Sequence, residues 1–334
     1  LIATLPDNRT IRTAIQDHLL RFVLIVLFIA CTPAQANSIR IAVISDLNES
    51  YGSTQYRSHV TKAIQRIIQL KPDLVLSTGD MVAGQQLHPL LGRPELEAMW
   101  KSFHQSVSIP LANADIPLAV TPGNHDASAY ASFTLERKIY NEQWQARKPK
   151  LNYINDDHYP YYYAFSAGDT LFVSLDATRV GHLPVEQKVW LDKLLKANGQ
   201  QYKQRVVFGH VPLWPFAVGR EQDILGDHEL ESLLQQGSVD IFLNGHHHAY
   251  YPGHKNGINY ISQACLGAGP RSLLGVQKKS KRSITIIEFN ADGSFKLDAL
   301  SAPDFNAVVD IKKLPKRIHT KWAEIIRYDL AAEK

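Results

Sequence analysis

The sequence predicts an α/β fold, and three observations predict it. Short apolar runs alternate with segments whose apolar residues recur at helical spacing. The first such unit reads strand–helix–strand, which implies a right-handed parallel crossover. Five runs end on turns bearing Asp, Asn or His, the residues expected at the carboxyl edge of an α/β sheet where chemistry is carried.

The elements follow in chain order. Ile39-Arg40-Ile41-Ala42-Val43-Ile44 reads as a buried strand with Asp46 just past its end. Val60, Ala63, Ile64, Ile67 and Ile68 then give a helix face that packs on a sheet. Lys71-Pro72-Asp73 stops that helix, and Leu74-Val75-Leu76 opens the strand that leads to Asp80. Pro117-Leu118-Ala119-Val120 brings in Asn124 and His125. Residues 171–175 read as another strand, and a helix is expected over 185–195 with Pro184 near its start. Arg205-Val206-Val207-Phe208 leads to His210, and the run 239–243 leads to His246 and His248. Two apolar runs flank Asn290-Ala291-Asp292-Gly293, a hairpin signature. Near the end, Lys312, Lys313, Lys316, Arg317 and Lys321 alternate with Trp322, Ile325 and Ile326. A helix packed back on the domain with a solvated basic face is expected there, ahead of a membrane-surface helix.

At 334 residues the chain could hold one large domain or two small ones. Its net charge of +4 is modest and scattered, which gives no case for a nucleic-acid partner. Arg21 precedes the apolar run 22–30, and Ala34-Gln35-Ala36 follows it. A basic flank, a short apolar run and an A-x-A site predict a signal peptide over 1–36, cleaved before Asn37. The run is short for a span, so no stable membrane span is expected in the mature chain. Export to the periplasm or medium follows, with lipid anchoring through Cys31 ranked second because the lipobox is poor. After cleavage only Cys265 remains, so no intramolecular disulfide forms. With no linker in the pattern, one catalytic domain is expected over 37–300 and a tail over 301–334. Nothing in the pattern sets an oligomeric state.

The five strand endings are Ser45-Asp46-Leu47-Asn48, Gly79-Asp80, Gly123-Asn124-His125-Asp126, Gly209-His210 and Gly245-His246-His247-His248. They supply carboxylates, carboxamides and imidazoles with no thiolate, a ligand set suited to divalent Mn, Fe or Zn. In order and setting they resemble the calcineurin-like metallophosphoesterase superfamily, whose pattern is D-x-H, G-D, G-N-H-[DE], a lone His after a strand, and G-H-x-H. Four blocks match outright, and the first has Asn48 where His is usual. The resemblance implies a two-sheet α/β/β/α sandwich and two divalent metal ions. Asp80 would bridge them; Asp46, Asn48 and His248 would complete one site, and Asn124, His210 and His246 the other. The implied reaction is hydrolysis of a small phosphate mono- or diester by a hydroxide bridging the ions. His125 would serve the leaving group or the transferring phosphoryl group. Beside the resemblance, Asp126 is expected to orient this loop or the imidazole, and Arg220 and Arg271, in Gly- and Pro-rich segments after the fourth and fifth motifs, are candidate phosphate contacts.

Alone, an Asp or Asn after a strand is more often a turn or helix cap than a ligand; the ordered set reverses that weighting. Strand alternation turns His247 away from its neighbours, toward packing or a supporting hydrogen bond. Tyr161-Tyr162-Tyr163 reads as part of a strand, and Trp214 and Phe216 as pocket rim or core. Substrate contacts are expected in the segments 85–103 and 153–163. Purple acid phosphatases also lack the first His but place a Tyr ligand three residues after the G-D aspartate; Ala83 stands there, against that ferric variant. The rival readings are a nuclease or cyclic-nucleotide phosphodiesterase, and a metal-binding scaffold of the same fold without turnover.

Overall fold

The computed structural model describes residues 38–267 and 269–331. The expected signal peptide over 1–36 lies outside the described residues. In chain order the first strands are β1 (Ile39–Ile44), β2 (Leu74–Ser77), β3 (Leu118–Val120), β4 (Asn152–Asn155) and β5 (Tyr163–Ala167). Next come β6 (Thr170–Ser174), β7 (Gln204–Phe208), β8 (Ile241–Asn244), β9 (Tyr251–Lys255) and β10 (Ile258–Ser262). The last are β11 (Ser283–Phe289), β12 (Phe295–Ser301), β13 (Ala307–Val308), β14 (Arg317–His319) and β15 (Glu324–Arg327). The α-helices are α1 (Ser58–Leu70), α2 (Arg93–Phe103), α3 (Ile109–Asn113), α4 (Asn124–Ala127), α5 (Thr134–Gln145), α6 (Val185–Asn198) and α7 (His228–Gln236).

Two mixed sheets result. The first has six strands in the order β13-β12-β11-β1-β2-β3, with β1, β2 and β3 parallel. The second has nine in the order β14-β15-β9-β10-β8-β7-β6-β5-β4, with β6, β7, β8 and β10 parallel. Side-chain alternation sorts the faces of the second sheet. Phe172, Val206, Phe208, Ile241 and Leu243 share one core with Val43, Leu76 and Ile287 of the first sheet. Leu171, Val173, Val207 and Phe242 instead join Leu191 and Leu195 of α6 and Leu230 and Leu234 of α7. The rings of Phe172 and Phe289 meet edge-on across the sheets at 6.1 Å. Each fully buried side chain of this size contributes roughly 1.5–3 kcal/mol of transfer free energy.

On the first sheet, α1 buries Val60, Ala63, Ile64 and Ile67. It ends where Lys71 turns left-handed (φ 48°) and donates its N–H to the Ile67 carbonyl, one residue before Pro72. α7 starts on Asp227, whose carboxylate accepts from Leu230 N at 3.0 Å, an N-cap that satisfies an otherwise orphaned donor. Helices thus cover both outer faces, and the two-sheet α/β/β/α sandwich is what the chain forms. Among the described residues no helix is long and apolar enough to cross a membrane.

The tail corrects the sequence reading. Residues 301–331 form no α-helix; they give β13 to the edge of the first sheet and β14 and β15 to the second. Trp322, Ile325 and Ile326 have helical spacing, but Ile326 pairs with His254 of β9 in an antiparallel ladder. Gly253 makes room for this: a Cβ there would lie 2.5 Å from Ile325 Cγ2. The buried Arg327 guanidinium then pins the segment, donating to the carbonyls of Ile311 at 2.9 Å and Leu314 at 3.0 Å and pairing with Asp329.

Candidate active site

The five motif loops follow β1, β2 and β3 in the first sheet and β7 and β8 in the second, so they converge at one edge. Four motif residues sit in the left-handed region that non-glycine residues rarely adopt: Asp46 (φ 51°), Asp80 (φ 55°), His246 (φ 65°) and His248 (φ 54°). Such backbone strain persists only where the surroundings enforce it, and it marks functional loops. Glycines permit the close approach. A Cβ at Gly123 would lie 2.1 Å from Asp80 N, and one at Gly245 would lie 2.1 Å from Ser45 Oγ.

The side chains meet. His210 Nε2 lies 3.2 Å from Asp80 Oδ2 and 2.9 Å from Asn124 Oδ1, and its Nδ1 donates to the Thr78 carbonyl at 2.8 Å. His248 Nε2 lies 3.1 Å from Asp46 Oδ1, and Nδ1 donates to the Gly269 carbonyl at 3.1 Å. In both rings a backbone carbonyl occupies Nδ1, which directs Nε2 inward. Asp46 also accepts from Ser45 Oγ at 2.6 Å and from the His246 backbone N–H at 3.2 Å. Asp80, His210 and His246 offer ligand atoms within 4.8 Å of one another. Asn48 Oδ1 and His246 Nε2 are buried with no hydrogen-bond partner. A buried polar atom left so costs about 1–3 kcal/mol unless something takes it. Two carboxylates, two amide oxygens and three imidazoles, two of them aimed inward by carbonyls and one with an orphaned nitrogen, fit divalent cations.

The electrostatics agree. Burial alone would raise the Asp46 and Asp80 carboxyls, but His248 beside the first and His210 beside the second outweigh it, and both sit below their ordinary values. Burial opposes charge on His210, yet Asp80 pushes it up to about 9, and Asp46 likewise lifts His248. Burial, with His210 and His247 adding to it, holds His246 well below its usual value, so its nitrogen keeps a free lone pair. The cluster is a buried anionic pair that demands cationic charge. Asn48 is its weak point, because an amide oxygen donates less strongly than imidazole. Asn48→His is expected to tighten binding of Mn or Zn at the first site roughly tenfold. Calorimetric titration of both metal-stripped proteins checks this, and equal affinities would sink it.

His125 stands apart from the ligand set. Its Nδ1 donates to the Gly84 carbonyl at 2.7 Å, its backbone N–H to Asp80 Oδ1 at 2.9 Å, and Nε2 lies 3.9 Å from Asp80 Oδ2. Asp126 accepts the backbone N–H groups of Met81, Val82 and Gly123 at 2.7–2.9 Å and so ties the second and third motif loops together. His247 accepts from Phe216 N at 3.1 Å and donates to the Asp223 carbonyl at 3.0 Å, away from the other histidines.

A cavity of about 530 Å³ opens on the cluster, lined by Asn48, Asp80, Asn124, His125, His246 and His248. Arg220 and Arg271 line it too, as do Arg179, Tyr51 and Tyr130. Arg220 pairs with Asp223, whereas Arg271 has a buried Nε without a partner. A second cavity of about 570 Å³ lies by Trp144 and Arg147, and no motif residue lines it. Of the two alternatives for Trp214 and Phe216 the structure takes the core: both are fully buried against α7, with Trp214 Nε1 donating to Glu231. Two other expectations fail. The segment 153–163 contributes nothing to the cavity lining, and within 85–103 only Gln85 does. Of the three consecutive tyrosines only Tyr163 lies in a strand.

Gln85 and Glu136 escaped the sequence reading. Gln85 Oε1 accepts from Asn124 Nδ2 at 2.6 Å, which turns the Asn124 oxygen toward His210. Glu136 in turn accepts the Gln85 backbone N–H at 2.9 Å. Neither carries a motif; in the structure Gln85 sits in the left-handed region at φ 70°, five residues after Asp80. Burial pushes Glu136 up to about 7, against the Gln85 hydrogen bond. Its folded pKa exceeds the unfolded one, so the folded state holds the proton longer and loses stability between pH 4.5 and about 7. Glu136→Gln removes that loss. The variant's stability relative to the parent should rise by about 2 kcal/mol from pH 5 to pH 8. Urea midpoints at both pH values measure this, and a pH-independent difference would contradict it.

Sequence comparison agrees with this geometry. The family profile described as calcineurin-like phosphoesterase matches residues 39–250. The serine/threonine-protein phosphatase CPPED1 of Bos taurus is 26% identical over 220 residues, 62% of this chain and 63% of that protein. Purple acid phosphatase 15 of Arabidopsis thaliana is 28% identical over 235 residues, 63% of this chain and 40% of that one. The structure of a purple acid phosphatase from yellow lupin superposes with a TM-score of 0.60 at 17% identity, covering 80% of this chain and 52% of that one. The chain thus spans less than two thirds of each of these proteins. With the profile running from β1 through the last motif, the chain belongs to the calcineurin-like phosphoesterase family.

Proposed function

We propose that the chain hydrolyses phosphate mono- or diesters at a centre of two divalent ions, Mn, Fe or Zn. The observation that supports this is the meeting of the five motif loops at one cavity, lined by Asn48, Asp80, Asn124, His246 and His248, with Asp46 against His248 and His210 against Asp80, and with Asn48 Oδ1 and His246 Nε2 left unpartnered. Asp80 would bridge the ions, with Asp46, Asn48 and His248 on one and Asn124, His210 and His246 on the other. Bound there, the ions would supply Lewis-acid activation of water and of the phosphoryl oxygens.

The chain's own residues divide the remaining work. Gly84 holds the His125 ring by Nδ1, so Nε2 faces the cavity and can pass a proton to the departing oxygen. Arg271, half buried beside Arg220, offers a guanidinium to the anionic ester. Gln85 and the Thr78 carbonyl fix the orientation of Asn124 and His210. Export to the periplasm or medium belongs to the same proposal, supported by the basic flank, apolar run and A-x-A site of residues 21–36. The test is hydrolysis of para-nitrophenyl phosphate and of its bis-ester by protein from Asn37 onward, metal-stripped and then with Mn or Zn restored. Turnover that depends on metal supports the proposal and reports the ester preference. Two bound ions without turnover on either ester point to the scaffold reading, and no bound metal overturns both.

A further inference from the structure

The proposed chemistry puts the leaving group beside His125, and Tyr51 neighbours that ring at the cavity. For His125 to serve the departing oxygen, that oxygen must come within about 2.6–3.2 Å of Nε2. The Tyr51 ring centroid is 5.5 Å from that of His125, with the planes inclined by 34°. Tyr51 and His125 line the same cavity, so the tyrosine ring is within reach of a group carried by that oxygen. Tyr51 is 56% exposed, and among the described residues His125 is its one aromatic neighbour. A large, half-bare ring at a cavity mouth is apolar surface that a bound ring would cover.

The rest of the rim suits the same guest. Tyr130, 41% exposed, lines the cavity with the Arg179 guanidinium 5.8 Å from its ring centroid. Thr178 holds this wall in place by accepting the Ala129 backbone N–H at 3.1 Å. Glu49 is the carboxylate nearest Tyr51 in the sequence, and Arg57 pairs with it at 2.5 Å.

We propose that the cavity selects esters whose leaving group is a planar aromatic ring, with Tyr51 stacking on that ring as a specificity determinant. This rests on the phosphoesterase reading above and on the place it gives His125. Two readouts keep the ideas separable. The first is kcat/KM for phenyl phosphate relative to glycerol 2-phosphate, with the Mn-loaded protein. The second needs no turnover: Kd by calorimetry for phenylphosphonate relative to methylphosphonate, which differ in the substituent at phosphorus.

Aromatic pairs contribute enough that Tyr51→Ala should lower both ratios about tenfold. Tyr51→Phe should keep both within about twofold of the parent, since the ring and not the hydroxyl does the stacking. Unchanged phenyl-to-methyl and aryl-to-alkyl ratios in Tyr51→Ala would overturn this inference and leave the phosphoesterase proposal standing. Absent turnover with an intact, Tyr51-dependent phosphonate ratio would overturn the phosphoesterase proposal and leave only the ring-binding role of Tyr51.

Discussion

Asp80→Ala is expected to strip the metal centre and to lower turnover of para-nitrophenyl phosphate by about a thousandfold or more. The side chain lies against the predicted ligands His210 and His246, with Oδ2 3.2 Å from His210 Nε2 and Oδ1 held by the His125 N–H at 2.9 Å. It is also held ionised: His210 and His125 outweigh the burial that would otherwise raise it. Two cations a few ångström apart repel, and a bridging carboxylate offsets that repulsion. Without it the site would hold one ion or none, and the several kcal/mol of Lewis-acid stabilisation that a bound pair would supply would be lost, about tenfold in rate for each 1.4 kcal/mol. Elemental analysis beside kcat/KM reads both effects. Asp80→Asn keeps the shape and an oxygen for the His125 N–H, so it separates charge from packing. A pair of bound ions and parent-level turnover in both variants would remove the basis of the proposed mechanism.

Most of the site was legible because its residues sit where an apolar run stops. Asp46, Asp80, Asn124, His210 and His246 each follow a strand end, so the order of strands in the sequence carries their convergence. The pairing of the sheets was less legible, since apolar runs alone do not say which strands meet. The second sheet came from the family pattern rather than from periodicity. What escaped had no local signature. Gln85 acts on Asn124 through an amide whose partner lies 39 residues away, and Glu136 acts through Gln85 from α5, 51 residues away in the chain. The tail was misread because Trp322, Ile325 and Ile326 fit a helical period as well as they fit an edge strand. The choice was made by tertiary contacts: the ladder to β9, the space at Gly253 and the buried Arg327. Trp214 and Phe216 were ambiguous for a related reason, as a Gly- and Pro-rich loop can fold over a core as readily as over a pocket.

His125→Ala should leave the metal content at two ions while lowering kcat about 10²–10⁴-fold for esters with poor leaving groups. His125 meets Asp80 chiefly through its backbone N–H at 2.9 Å, which alanine keeps, while the ring nitrogen Nε2 stays 3.9 Å from the carboxylate. What alanine loses is Nε2, the nitrogen that the Gly84 carbonyl leaves facing the cavity by taking Nδ1–H. A proton donor matters in proportion to the charge that the departing oxygen would otherwise carry. The deficit should therefore be small for para-nitrophenyl phosphate, whose phenolate needs little help, and large for glycerol 2-phosphate, whose alkoxide needs a proton. A plot of log kcat/KM against leaving-group pKa should be shallow in the parent and steep in the variant. Parallel plots with a uniform drop would instead assign His125 to stabilising charge on the transferring phosphoryl group, the other role open to it. Loss of an ion in His125→Ala would show that the ring holds Asp80 in place, and the proton-transfer role would have to be abandoned.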